Sequence, residues 1–212
     1  MTRIIFLPLN ALAAIVLALT FTGCASHATQ HEFQAMSDDE FADLKKSLLF
    51  TADDERYLRM SRDVLEPNVE ELLDVWYGFV GSHPHLLASF SHPTSKQPDM
   101  DYLAKVRLRF RAWVLATADA EFDRDWLDHQ LEIGLRHHRL EKNKTDGVVA
   151  AEHIPLRHLI ALHYPITTTL KPFLARGGKT EAEVSGMYEA WRKAVLLTTI
   201  LWSQPYVAPK DY

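Results

Sequence analysis

The chain has 212 residues, 47% hydrophobic and 24% charged, enough to bury the core of one domain and too apolar for a disordered chain. Its net charge is -5 and it has no block of Lys or Arg, which argues against a nucleic-acid partner. Internal repeats and alternating Val/Ile/Thr strand patterns are absent, and glycine sits mainly at segment ends, so the expectation is an all-α fold.

Residues 1–23 read as an export segment: Arg3 gives a positive start and Ile4 to Thr20 run without a charge. The run ends in Phe21-Thr22-Gly23-Cys24, which resembles the bacterial lipobox with Phe21 where Leu is usual. Cys24 is then the expected lipidation site, with an uncleaved membrane anchor as the alternative; either tethers the protein. Ala25 and Ser26, with no Asp, resemble the pattern of lipoproteins sorted to the periplasmic face of the outer membrane in a Gram-negative cell. Residues 24–36 read as a linker and 37–212 as the folded domain.

Cys24 is the sole cysteine, so the domain has neither a disulfide nor a C-x-x-C-H attachment pattern.

Along the domain, Ser37 and Glu40 form a capping box for a first helix with Phe41, Leu44 and Leu48 on its apolar face. Thr51 caps a second helix through Leu58 to Leu65, and Pro67 precedes a third, Asn68 to Val80, rich in large rings at Trp76, Tyr77 and Phe79. A short helix through Leu86 to Phe90 is followed by a long one from Asp101 to Ala118, with Val106, Phe110 and Trp113 at helical spacing.

The next helix is expected from Glu121 to Arg139. Phe122, Trp126, Ile133 and His137 lie on one stripe, and Leu127, Leu131, Gly134 and His138 on the stripe beside it. Neighbouring residues point about 100° apart on a helix, so only one of His137 and His138 can meet a flat ligand squarely. Spacing does not choose between them. After a polar loop, a helix from His158 to Leu174 carries Pro165, which loosens it by removing a hydrogen bond. The last helix, capped by Thr180, runs to Trp202; it is nearly apolar all round in places, as expected of a surface that packs on another subunit.

The strings W-Y-G-F-V-G-S-H-P-H-L-L (76–87), Y-L-A-K-V-R-L-R-F-R-A-W (102–113), E-I-G-L-R-H-H-R (132–139), Y-P-I-T-T-T-L-K-P-F-L-A (164–175) and L-W-S-Q-P-Y-V (201–207) closely resemble protoglobins and the sensor domains of globin-coupled sensors. The resemblance implies a globin fold, a 3-over-3 helical sandwich, with an additional N-terminal helix, a non-covalent haem b and a homodimer through the last two helices. It assigns the proximal iron ligand to His137, and the distal pocket to Trp76, Tyr77, Phe110, Leu162 and Ile166. Relatives carry Phe where Leu162 stands, a change expected to enlarge the cavity. The chain reads as a stand-alone protoglobin, since no signalling domain follows. The function implied is binding of diatomic gases (O2, CO, NO) as sensor, scavenger or carrier. The alternative is a haem enzyme such as an NO dioxygenase or nitrite reductase, fed by an external electron donor.

Overall fold

In the computed structural model residues 33–212 are described; the expected export segment, residues 1–23, and Cys24 lie outside the described residues. The helices begin where short polar side chains satisfy free backbone donors. In α1 (Asp38–Ser47) the Ser37 hydroxyl accepts from the Glu40 amide, while the Glu40 carboxylate accepts from the Ser37 amide at 3.0 Å. For α2 (Ala52–Leu65) the Asp54 carboxylate accepts from both the amide and the hydroxyl of Thr51. A 3-10 turn holding Pro67 leads into α3 (Val69–Gly81), and the single turn α4 (Pro84–Leu87) follows. Asp99 caps α5 (Met100–Asp119), which ends at Ala120 in the left-handed region.

α6 spans Arg124–His137, shorter at both ends than expected. The Asp123 carboxylate accepts from the Trp126 amide and sets the start, and His138 turns into extended backbone as the C-cap. α7 (Leu156–Leu174) contains Pro165 and Pro172; hydroxyls of Thr167 and Thr169 cover carbonyls of His163, Tyr164 and Pro165 near the break. α8 (Glu181–Ser203) opens on the Thr180–Glu183 box.

α8 packs on α2, α6 and α7, α2 also on α5, and α3 on α5 and α7, with α1 ahead of them, in the layered helical sandwich with an additional N-terminal helix expected from the sequence. The core runs between the layers through Leu58, Leu65, Leu73, Trp113, Leu170, Phe173, Met187 and Trp191. Trp191 is fully buried, and its indole N–H donates to the Ser61 hydroxyl at 2.8 Å, tying α8 to α2. Lys193 reaches back from α8 to the buried Asp54 carboxylate at 2.9 Å and to the Leu49 carbonyl. Residues 33–36, read as linker, lie on the domain: the Gln34 carbonyl accepts from Gln204, and the Met36 carbonyl from Arg124. No helix among the described residues is long and apolar enough to cross a membrane.

Candidate functional site

The residues singled out from the sequence line two faces, one built from three helices and the other at the end of α6. Trp76 and Tyr77 on α3, Phe110 on α5, and Leu162 and Ile166 on α7 all belong to one hydrophobic cluster with Val80 and Leu86. The Trp76 and Phe110 rings lie 5.7 Å apart, and Tyr77 stands edge-on to Phe110 at 6.5 Å. A void of about 10 Å³, enough for about one water, borders Trp76, Phe110, Trp113 and Ile166. Leu162 does not line it.

Tyr77 combines an apolar setting with a free polar tip. Its hydroxyl has no hydrogen bond among the described residues, and burial pushes its ionisation well above the usual tyrosine range. It is therefore a neutral donor at any ordinary pH, with Arg107 over its ring at 5.9 Å.

The adjacent histidines have separate environments. His137 is the last helical residue of α6, and its Nδ1 lies 2.7 Å from the Ile133 carbonyl. A carbonyl only accepts, so Nδ1 carries the proton and the Nε2 lone pair is left over. Burial is the main cause that lowers the imidazole's pKa to about 4; nearby Lys142 and Arg136 push it the same way, against the Ile133 hydrogen bond. The ring is thus neutral at physiological pH, the state in which imidazole ligates metals. His138, one residue beyond the helix, turns edge-on to Tyr206 at 5.0 Å. His163 is bonded through Nε2 to the Arg192 carbonyl at 2.9 Å.

None of the five cluster residues makes a ring contact with His137. A chain of rings connects the two faces instead: Phe110 stacks on Trp113 at 5.3 Å, Trp113 meets Trp202 at 5.5 Å, and Trp202 lies under His137 at 5.1 Å. The segment after α6 is fastened on several sides. Arg109 on α5 holds the Asp146 carboxylate through both of its terminal nitrogens, and the Lys142 ammonium donates to the Ser89 carbonyl at 2.8 Å.

A neutral imidazole with one edge committed to a carbonyl and, among the described residues, no hydrogen bond at Nε2 is a donor whose chemistry fits a haem iron. No group of three or more His, Cys, Asp or Glu side chains that could hold a bare metal ion occurs among the described residues.

The Protoglobin family profile matches residues 37–212, nearly all of the domain. The chain belongs to the Protoglobin family. Among solved structures, 24 chains match. One is the globin domain of a Geobacter sulfurreducens globin-coupled sensor, with a TM-score of 0.58 and 14% identity, covering 83% of this chain and 100% of that one. At that identity the likeness speaks to the fold. A comparison with curated protein sequences gives no match. Membership makes the protein a haem globin, for which diatomic gases are the expected ligands.

Sequence reasoning missed three features of this protoglobin's site. Gln130 is buried on α6 and accepts from the Trp202 indole N–H at 2.9 Å. Trp202 was read only as the end of an apolar helix, and Lys142, almost fully buried in the following loop, as part of a polar turn. A polar residue on the apolar side of an amphipathic helix was the available signal for Gln130.

Proposed function

We propose that this protoglobin holds haem b on His137 and binds O2, CO or NO reversibly at an open sixth iron position, serving as a gas sensor, scavenger or carrier. The observation that carries the reading is the His137 imidazole, kept neutral by burial, with Nδ1 given to the Ile133 carbonyl and Nε2 without a hydrogen bond among the described residues. His137 would hold the haem, which when bound would supply an iron able to take a diatomic ligand. The Ile133 carbonyl raises the basicity of His137 and fixes its tautomer. Tyr77 would offer its unshared hydroxyl as a hydrogen-bond donor to bound O2, and Trp76, Phe110, Leu162 and Ile166 would give the site apolar walls. A domain without cysteine supports non-covalent attachment of that haem.

Absorbance tests this directly. The full-length protein supplied with haem should show a Soret band that shifts with CO, and His137→Ala should abolish that spectrum; an unchanged spectrum in the variant would remove His137 as ligand.

The same proposal includes a homodimer through α7 and α8, supported by the exposed apolar side chains Ile160, Tyr164 and Leu196 on those two helices. Sedimentation of a Tyr164→Glu, Leu196→Glu double variant should give monomer; an unshifted dimer would place the interface elsewhere. Tethering at the periplasmic face of the outer membrane is proposed from the lipobox-like Cys24. Palmitate should label the wild type and not Cys24→Ala, and equal label on both would refute it.

A further inference from the structure

One face of α6 is shaped to receive a single residue of α8. Gln130, Gly134 and His137 recur at spacings of four and three, so they stand above one another on the helix. Trp202 fits against all three. Its indole N–H donates to the Gln130 side-chain oxygen at 2.9 Å. Its main chain comes so near Gly134 that a Cβ placed there would lie 3.0 Å from the Trp202 Cα and 3.1 Å from its carbonyl oxygen. Its ring lies almost parallel to the His137 imidazole, the planes 19° apart and the centroids 5.1 Å apart.

The hydrogen bond is buried, with Gln130 at 1% and Trp202 at 9% exposure, so neither partner has water as an alternative. Trp113 of α5 also packs on the indole, the ring centroids 5.5 Å apart.

We propose that Trp202, held by Gln130 and admitted by Gly134, is the positioning residue that fixes the plane of the His137 imidazole and thereby the direction of its Nε2 lone pair. The inference rests on His137 being the haem ligand. The Ile133 carbonyl anchors one point on the ring edge, which still leaves the ring free to swing about that bond. A flat face pressed against it removes the swing. Two constraints from different directions hold the ring as one alone cannot. Because Trp202 belongs to α8, a displacement of that helix would reach the imidazole directly.

The test uses Trp202→Leu, which removes the stacking face, and Gln130→Met, which keeps the volume and removes the acceptor. Two readouts are taken. In the haem-free protein, proton NMR should show the His137 ring protons displaced by the indole ring current in the wild type, with the displacement lost in Trp202→Leu and reduced in Gln130→Met. In the ferrous haem-loaded protein, the iron–histidine stretching band should move to lower frequency and broaden in both variants, with haem lost roughly tenfold faster.

Unchanged ring-proton shifts in Trp202→Leu, or an unmoved stretching band in both variants, would overturn the positioning role. If Trp202→Leu does not fold, Gln130→Met decides by the same two measurements. A His137→Ala protein that keeps the wild-type Soret spectrum would instead refute the ligand assignment, an outcome the NMR measurement does not depend on.

Discussion

Acid should destabilise the haem-free protein through His137. The folded imidazole has its pKa lowered to about 4, chiefly by burial, whereas the unfolded chain takes up the proton near 6.5. Between those values the unfolded state binds more protons, so stability is full above pH 6.5 and is lost as pH falls toward 4. Each pH unit is about 1.4 kcal/mol, and the window spans roughly 2.5 units, so the loss reaches about 3 kcal/mol. That is a large part of the ~5–15 kcal/mol typical of a domain. Urea unfolding of the haem-free wild type and of His137→Gln, measured from pH 7.5 to pH 4, isolates the effect. Glutamine does not titrate and keeps a donor for the Ile133 carbonyl. Burial also lowers the pKa of His138 and His158, but both are common to the two proteins and cancel in the difference. The wild-type advantage over the variant should shrink by about 3 kcal/mol across the range. A difference that stays flat would mean that the imidazole is open to water and that the burial argument is wrong.

Four further substitutions probe separate contacts. Lys193→Met strips the buried Asp54 carboxylate of its ion pair and should cost roughly 3 kcal/mol, less whatever the Thr51 donors recover; a urea midpoint equal to wild type would show the pair to be dispensable. Burial lowers the Lys142 pKa to about 8 from the ordinary 10.5, so the folded state disfavours its charge and stability should rise between pH 8 and 10.5. That rise should vanish in Lys142→Met, as read from melting temperature against pH. Tyr77→Phe should speed O2 dissociation about tenfold, the worth of one hydrogen bond, and leave CO nearly unaffected; flash photolysis showing equal change for both gases would deny the hydroxyl its role. Gly134→Val drives a branched side chain into the Trp202 main chain and should cost about 2 kcal/mol with faster haem loss, a result checked by urea unfolding and by transfer of haem to apomyoglobin.

How much of this was legible in the sequence depends on how far each signal reaches along the chain. The boxes at Ser37 and Thr180 act over three residues and can be read directly, as can the periodic faces of α5 and α8. The start of α6 was placed three residues early because the run Glu121 to Asp125 offers several acidic caps, and the choice of Asp123 follows α5 ending in a left-handed turn at Ala120. Helical spacing left His137 and His138 equivalent. Their environments diverge through distant partners: the His137 carbonyl accepts the Ile154 amide, and His138 meets Tyr206. Gln130 was the stronger clue. A polar side chain on the buried side of a helix must find a partner, and on α8 the hydroxyls of Thr198 and Thr199 are already given to the Val195 carbonyl, which leaves the indole N–H groups as donors. That reasoning leads from Gln130 to a tryptophan on another helix, and the bond to Trp202 spans 72 residues. Once Trp202 is fixed there, the glycine one turn after Gln130 is favoured, because a Cβ would crowd the Trp202 main chain and push the α8 backbone away by a few tenths of an ångström. The histidine three residues further on then lies against the indole face, so the orientation of the imidazole follows from a glutamine two turns away.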